Sequence, residues 1–388
     1  MFDFENEMTL LSKLHLARSL VSIDSGQSTT LEQNGKTLLH FSSNNYLGLA
    51  NHPVLKSAAI SAIQTWGIGG GSSRLVSGNF RLYEELEARI ATLKGTESAL
   101  VFSTGYMANI GSIGALMQKG DLIFADRLCH ASLIDGARLS GATLRIFHHK
   151  DIEQLRRLLQ KRKEKTKTLI ITDGVFSMDG DIAPLPELLR LAEEYDAFVY
   201  LDDAHATGVL GPHGAGSCDH FGLSSPRIIQ MGTLSKAFGS LGGFVAADQS
   251  LIRYLINKAR PFIYTTALPP SALATSIAAM DLITSDLERR KRLWQITTQI
   301  RQHLSQAGFD TCGSETPIIP ILIGKTETAL TFSQKLLDNG IYIPAIRPPT
   351  VPDGTSRLRI SLMATHTDEQ IQLLLVLLEK IGKELRVI

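Results

Sequence analysis

Three cysteines are all that 388 residues contain, and Cys129, Cys218 and Cys312 stand far apart with no Cys-x-x-Cys pair. That excludes a disulfide framework and a zinc knuckle and leaves buried free thiols as the expected state. Net charge is nearly absent too, with 39 Lys plus Arg against 38 Asp plus Glu. No broad field therefore favours nucleic acid or an anionic membrane, and the expected partner is a small molecule. Although 44% of the residues are apolar, Gly, Pro, Ser or charged residues interrupt every apolar run before membrane-spanning length. Residues 1–20 carry Asp3, Glu5 and Glu7 and lack the basic start and continuous apolar stretch of a secretory signal, so a soluble cytoplasmic protein is expected. No His-Glu-x-x-His occurs, and His148-His149 has no acidic neighbour at ligand spacing, so no metal is expected.

The length exceeds what one compact core usually reaches and predicts a large domain plus a smaller one. From Glu84 to Asp248 short aliphatic runs alternate with amphipathic segments, the pattern of βαβ units and a mainly parallel sheet. The clearest strands are Ala99–Phe102, Leu122–Ala125, Leu169–Thr172, Phe198–Leu201 and Ile228–Met231. Leu82, Leu86, Ile90 and Leu93 share one helical face, as do Leu185, Leu188, Leu189 and Ala192. A long helical stretch over 271–306 leads to alternating strands at Ile318–Ile323 and Leu358–Leu362 and a last helix near Ile371–Ile381. An amphipathic helix is expected through Leu10–Leu20, followed by a Gly/Ser/Asn-punctuated hairpin. These signals divide the chain into an N-terminal segment, 1–50, a large domain, 51–285, and a small α/β domain, 286–388.

Several motifs fail on inspection. Gly67-Ile68-Gly69-Gly70-Gly71 has Ser72 where a dinucleotide loop needs its third glycine. Gly35-Lys36-Thr37 and Gly324-Lys325-Thr326 imitate the tail of a P-loop, yet Thr30 and Ile319 stand where its first glycine belongs. All three are read as turns, and the mixed run 161–165 as a solvated loop.

The remaining candidates fall at strand ends. Lys236 lies in Gly232-Thr233-Leu234-Ser235-Lys236-Ala237-Phe238-Gly239, just beyond a strand, where a parallel sheet presents its ligand-binding edge. Asp202, Asp203 and His205 follow the strand 198–201, and Ser103-Thr104-Gly105-Tyr106-Met107 turns a strand into an apolar helix whose first N–H groups suit a phosphate. Alone, each has a plainer reading: a loop lysine, an Asp capping a helix, an N-cap. Together they supply what pyridoxal 5′-phosphate (PLP) needs: an amine for a Schiff base, an acid beside the pyridine nitrogen, a donor near the ring oxygen and a phosphate cradle.

These residues, with Phe41–Gly48, Asp126–Ser132, Gly174–Gly180, Asp202–Gly208 and Ala345–Pro352, resemble the fold-type I PLP enzymes and within them the α-oxoamine synthases. The resemblance implies an α/β transferase with a seven-stranded, mainly parallel sheet in the large domain and a smaller C-terminal α/β domain. It implies that Lys236 is the Schiff-base residue, that His130 stacks on the cofactor ring, that Ser177 and His205 contact its oxygen and that Asp202 meets its nitrogen. Gly105, Tyr106 and Thr233 would hold the phosphate. Thr265 and Thr266 would reach the phosphate of a neighbouring subunit in a homodimer. Arg359 and Asn44 match contacts to the amino-acid carboxylate, and Arg18, Arg347 and Thr350 match acyl-substrate positions. The similarity is nearest to the members that join alanine to a pimeloyl thioester, carried by CoA or an acyl carrier protein, with Lys236 or His130 moving the proton at Cα. Alternatives within the family are the glycine C-acetyltransferase, serine palmitoyltransferase and 5-aminolevulinate synthase types. A cofactor-free regulatory subunit of the same fold is a further one.

Overall fold

Asn34 and Gly35, with φ of 50° and 72°, are the two left-handed residues that a tight hairpin turn requires. They join strand β1 (Thr30–Gln33) to β2 (Lys36–His40), with Gln33 opposite Lys36. The expected hairpin is therefore present, and Gly35-Lys36-Thr37 is its turn. The structure, a computed structural model, describes residues 3–14 and 16–388. It forms two compact units, the larger comprising Leu49–Ser177 and Ile182–Arg290, the smaller comprising the chain up to Gly48, Met178–Asp181 and Lys291–Ile388.

The larger unit holds β3 (Ser98–Phe102), β4 (Leu122–Asp126), β5 (Thr143–Phe147), β6 (Thr168–Asp173), β7 (Phe198–Asp202), β8 (Ile228–Thr233) and β9 (Gly243–Ala247). They form one seven-stranded sheet in the order β3-β9-β8-β7-β6-β4-β5. Only β9 runs antiparallel to its neighbours. The strands inside the sheet are apolar on both faces because both are covered, whereas the edge strand β5 exposes Thr143, Arg145 and Ile146. Ile123, Ala125, Leu169, Ile171 and Tyr200 pack with Ala108, Ile113, Leu133 and Ala137 of helices Gly105–Leu116 and Ala131–Ser140. Their neighbours Phe124, Ile170, Val199 and Leu201 pack with Leu155, Leu188 and Leu191 on the other face. Helix Arg81–Lys94 buries Leu86 and Ile90 as expected, but Tyr83, Ala91 and Lys94 complete its inner face, with Leu82 and Leu93 only half-buried. The face is rotated because Tyr83 and Lys94 both carry polar tips with internal partners: Tyr83 accepts from the Leu268 N–H at 2.7 Å.

In the smaller unit β2 is joined by β11 (Ile341–Tyr342) in parallel, while β10 (Ile318–Gly324), β12 (Ala345–Ile346) and β13 (Ser356–Ser361) form a second sheet, order β10-β13-β12. Pairing of β2 with β11 groups the first 48 residues with the C-terminal ones, where the sequence suggested a separate segment, 1–50. The N-terminal helix is Phe4–Lys13, not 10–20. Asp3 starts it by accepting from the Asn6 N–H at 3.1 Å, and it has ended before Arg18. His15, inside the expected helix, lies outside the described residues, as do Met1 and Phe2. The expected helix over 271–306 is two helices, Pro270–Ser285 and Leu287–Ala307. The break is Asp286, whose side chain accepts from the Arg289 backbone N–H at 3.2 Å and so caps the second helix.

Two smaller expectations also change. Cys218 is buried, but Cys129 and Cys312 are half-buried. His149 does have an acidic partner, Asp126 at 3.0 Å, brought from 23 residues away by the parallel pairing of β4 and β5. Among the described residues no helix is long and apolar enough to cross a membrane.

Candidate active site

The helix Gly105–Leu116 starts where β3 ends. Thr104 caps it, its Oγ1 accepting from the Met107 N–H at 3.1 Å. Since the first N–H groups of a helix have no partner within it, Gly105 and Tyr106 present theirs outward at the positive end of the dipole. The turn packs closely on β9: a Cβ on Gly243 would strike Gly105 Cα at 2.5 Å, whereas one on Gly105 would meet the flexible end of Met231, Cε, at 3.0 Å. Thr233 ends β8 beside this turn, its Oγ1 2.7 Å from Ser235 Oγ and donating to Gly242 O at 2.8 Å. Thr265 Oγ1 contacts Met107 Sδ at 4.0 Å, and Thr266 O accepts from Ser103 Oγ, so both threonines lie against the turn of their own chain.

Beyond β8, residues 234–242 form a closed loop in which Leu234 N–H donates to Gly242 O and Ser240 N–H to Leu234 O, both at 2.9 Å. Half-buried Lys236 extends from it to 2.8 Å from His205 Nε2. Gly239 closes the loop with φ 65°, and a side chain there would collide with Ala50 N at 2.4 Å. Asp202 ends β7, nearly inaccessible, its Oδ1 accepting from the Ala204 N–H at 2.9 Å and its Oδ2 from Asn109 Nδ2 at 2.6 Å. The same amide nitrogen donates to Ser132 Oγ at 2.8 Å, and Ser132 Oγ is 2.8 Å from His130 Nδ1. His130 has a face open to solvent, and its backbone N–H donates to Asp173 Oδ2 at 2.9 Å. Loss of water around the ring holds the His130 pKa below its ordinary value, Asp202 and Asp135 opposing this and Lys236 adding to it. Burial, then the charge of Asp202 beside it in the sheet, pushes the Asp173 carboxyl well above the usual range. Ser177 is half-buried on the loop beyond β6.

Below this edge Asp203 is fully buried against Lys94, 2.9 Å away, and accepts from Ser217 Oγ and N–H at 2.6 and 3.0 Å. Reading the sequence missed Lys94, Asn109, Ser132 and Asp173. The signal was present for Asn109, a lone amide inside an otherwise apolar helix, and for Asp173, an acid ending a buried strand.

In the smaller unit, buried Arg359 donates from Nη1 to Ser361 Oγ at 2.8 Å and from Nη2 to Asn44 Oδ1 at 3.2 Å. Tyr46 OH also reaches Asn44 Oδ1, at 3.3 Å; burial pushes this phenol up to about 12 despite the opposing Arg359 charge. Arg357, two residues along β13, is engaged instead by Asp179 at 2.7 Å. Arg18, Arg347 and Thr350, scattered in sequence, come together: Arg18 Nη2 donates to Thr350 Oγ1 at 3.0 Å and Arg347 Nη2 to Ala17 O at 2.7 Å. They edge a cavity of about 500 Å³ whose walls include Val21, Leu330, Leu337, Ile343 and Ile346.

Comparison with known proteins agrees in kind. The model of the aminotransferase class I and II family matches residues 36–378. An 8-amino-7-oxononanoate synthase of Citrifermentans bemidjiense is 50% identical over 390 residues, covering 100% of both chains, and one of Lysinibacillus sphaericus is 48% identical, covering 99% of both. Among solved structures, a serine palmitoyltransferase from S. paucimobilis with bound PLP-myriocin aldimine superposes with a TM-score of 0.94 at 33% identity, covering 99% of this chain and 98% of that one. An 8-amino-7-oxononanoate synthase from Francisella tularensis gives a TM-score of 0.79 at 31% identity, covering 89% and 98%.

Proposed function

This chain belongs to the aminotransferase class I and II family, and within it to the α-oxoamine synthases, and on that footing we propose that it joins L-alanine to a pimeloyl thioester, giving 8-amino-7-oxononanoate, carbon dioxide and a free thiol. PLP is the cofactor of this reading, and the residues fit it. The helix start at Gly105 and Tyr106 has the backbone donors that a phosphate needs, and the Thr233 hydroxyl lies beside it with the Ser235 hydroxyl 2.7 Å further on. Asp202 offers a carboxylate to a pyridinium nitrogen, His130 a flat ring to stack, His205 and Ser177 donors to the ring oxygen, and Lys236 an amine for attachment. Bound there, PLP supplies the electron sink that lets a bond at Cα break without a free carbanion.

The protein's own part is binding, orientation and proton movement. Lys236 Nζ takes and returns the proton at the substrate Cα, with His205 Nε2 at 2.8 Å fixing the amine. The guanidinium of Arg359 holds the amino-acid carboxylate, together with the Asn44 amide. Arg18 carries the choice of acyl donor: it stands with Thr350 and Arg347 at the rim of a cavity whose walls mix aliphatic side chains with Ser19, Ser333 and Gln334, and a pimeloyl chain has an apolar run ending in a carboxylate. Uncharged acetyl or palmitoyl donors leave that cation without a role. The thiol released is that of CoA or of a carrier protein. The reading extends to a cytoplasmic protein and to a homodimer, the latter because Phe4, Met8 and Leu10 on the N-terminal helix, Leu14 at its C-cap, and Ile68, Val76 and Tyr264 elsewhere are exposed apolar side chains that a second copy can cover.

The deciding experiment offers alanine, glycine and serine with pimeloyl, acetyl, succinyl and palmitoyl thioesters and follows thiol and CO2 release. Alanine with pimeloyl should be fastest; a faster pair of any other kind would overturn the substrate assignment. Sedimentation of the purified protein as a monomer would overturn the dimer.

A further inference from the structure

The groups joining Asp202 to His130 form a hydrogen-bond chain whose direction is forced. Asn109 Nδ2 lies 2.6 Å from Asp202 Oδ2. A carboxylate oxygen only accepts, so the amide must turn its nitrogen there, and Asn109 Oδ1 is left buried with no hydrogen-bond partner. The second hydrogen of that nitrogen goes to Ser132 Oγ at 2.8 Å. Having accepted from Asn109, the hydroxyl is free to donate its own proton to His130 Nδ1, 2.8 Å away. The backbone N–H of Ser132 points to the same Nδ1 at 3.3 Å, and a backbone N–H cannot accept. His130 Nδ1 therefore receives two donors and carries no proton. The two helices come close enough for this because residue 136 is glycine: a Cβ there would stand 3.1 Å from Asn109 O.

We propose that Asn109 and Ser132 are positioning residues that hold His130 in the neutral form protonated on Nε2. Of the two candidates for moving the Cα proton, this leaves Lys236, since His130 can become an imidazolium through Nδ1 only by reversing the Ser132 hydroxyl and losing the Ser132 backbone N–H. A buried acceptor without a partner in Asn109 is the cost of using both amide hydrogens in one chain. Charged groups facing His130 are Asp202 and Asp135, which favour its protonation, and Lys236, which opposes it; its own backbone N–H is held by Asp173. The inference deepens the proposed function by naming what orients one of its residues, but the hydrogen-bond chain exists whatever the substrate is.

The test is long-range ¹H–¹⁵N correlation on the full-length chain labelled with ¹⁵N-histidine, with the His130 signals identified by their loss in His130→Phe. The wild type should show His130 with an unprotonated Nδ1 and a protonated Nε2. In Ser132→Ala the His130 titration midpoint should rise by about one pH unit, the effect of losing one hydrogen bond to the unprotonated nitrogen. Asn109→Leu keeps the volume without adding charge and removes both amide hydrogens, so the Ser132 hydroxyl loses the donor that turns it toward His130, and the midpoint should rise in the same direction. A protonated Nδ1 in the wild type would overturn the proposal. So would midpoints and tautomers in both variants equal to the wild type, even if activity fell, since a merely structural role predicts that result. Failure of the substrate assignment would appear separately, as absent condensation with the His130 signals as described.

Discussion

Lys236 Nζ and His205 Nε2 stand 2.8 Å apart, an amine from the loop beyond β8 meeting an imidazole from the turn beyond β7. Adjacent parallel strands end side by side, so two residues 31 positions apart converge without any long-range element between them.

Removing the amine separates attachment from folding. Lys236→Ala should melt as the wild type does, bind PLP only reversibly and lose turnover by a factor of about 10² to 10⁴ or more, because tether and proton carrier go together. Visible absorption before and after gel filtration, with thiol release, checks this. Near-native turnover would remove Lys236 from the reaction.

Arg18→Ala should cost pimeloyl donors roughly ten- to hundredfold in kcat/KM, the loss of one charge-assisted hydrogen bond of about 1.5–3 kcal/mol. An uncharged thioester of equal length should lose far less. Equal losses with the two donors, or none, would refute a carboxylate-binding Arg18.

Lys94 and Asp203 are both fully buried, and Gly174 and Gly216 leave the room that Asp203 occupies, each Cβ position being 2.2 Å from one of its oxygens. Lys94→Met retains the volume but strands the carboxylate, and should destabilise the fold by about 3–5 kcal/mol. A thermal melt within a degree of the wild type would contradict that.

His366 gives a pH dependence of known sign. Burial lowers its pKa from 6.5 to about 4, while its Nδ1 accepts from the Met363 N–H at 3.0 Å and its Nε2 faces His40 O at 3.1 Å. With the folded pKa below the unfolded one, the unfolded chain binds the proton first. The contribution, about 3 kcal/mol, is complete above pH ~6.5 and is lost as the pH falls toward 4. His366→Gln should be less stable at pH 7.5 but lose less further stability between pH 7 and 5, which denaturant titrations at the two pH values would reveal.

What the sequence determined by itself was whatever local pattern and chain order encode. Runs such as Phe198–Leu201 alternate too little to be half-exposed and are too short to be helices, so buried parallel strands followed, and the residues just beyond them, Asp202 and Lys236, marked the working edge. The hairpin at Asn34-Gly35 was equally local. Tertiary structure decided the rest. Period alone gave helix Arg81–Lys94 its Leu face but not the rotation that buries Lys94, because that depends on Asp203, 109 residues later. Residues 10–20 have the apolar spacing of a helix, yet the helix begins at the Asp3 cap and ends before Arg18, whose side chain is held by Thr350, 332 positions away. Asn109 looked like a stray amide because its partners, Ser132 and Asp202, are contributed by a neighbouring helix and a strand end. Hydrogen-bond direction depends on which donors and acceptors face one another across such gaps, and that pairing exists only once the chain has packed.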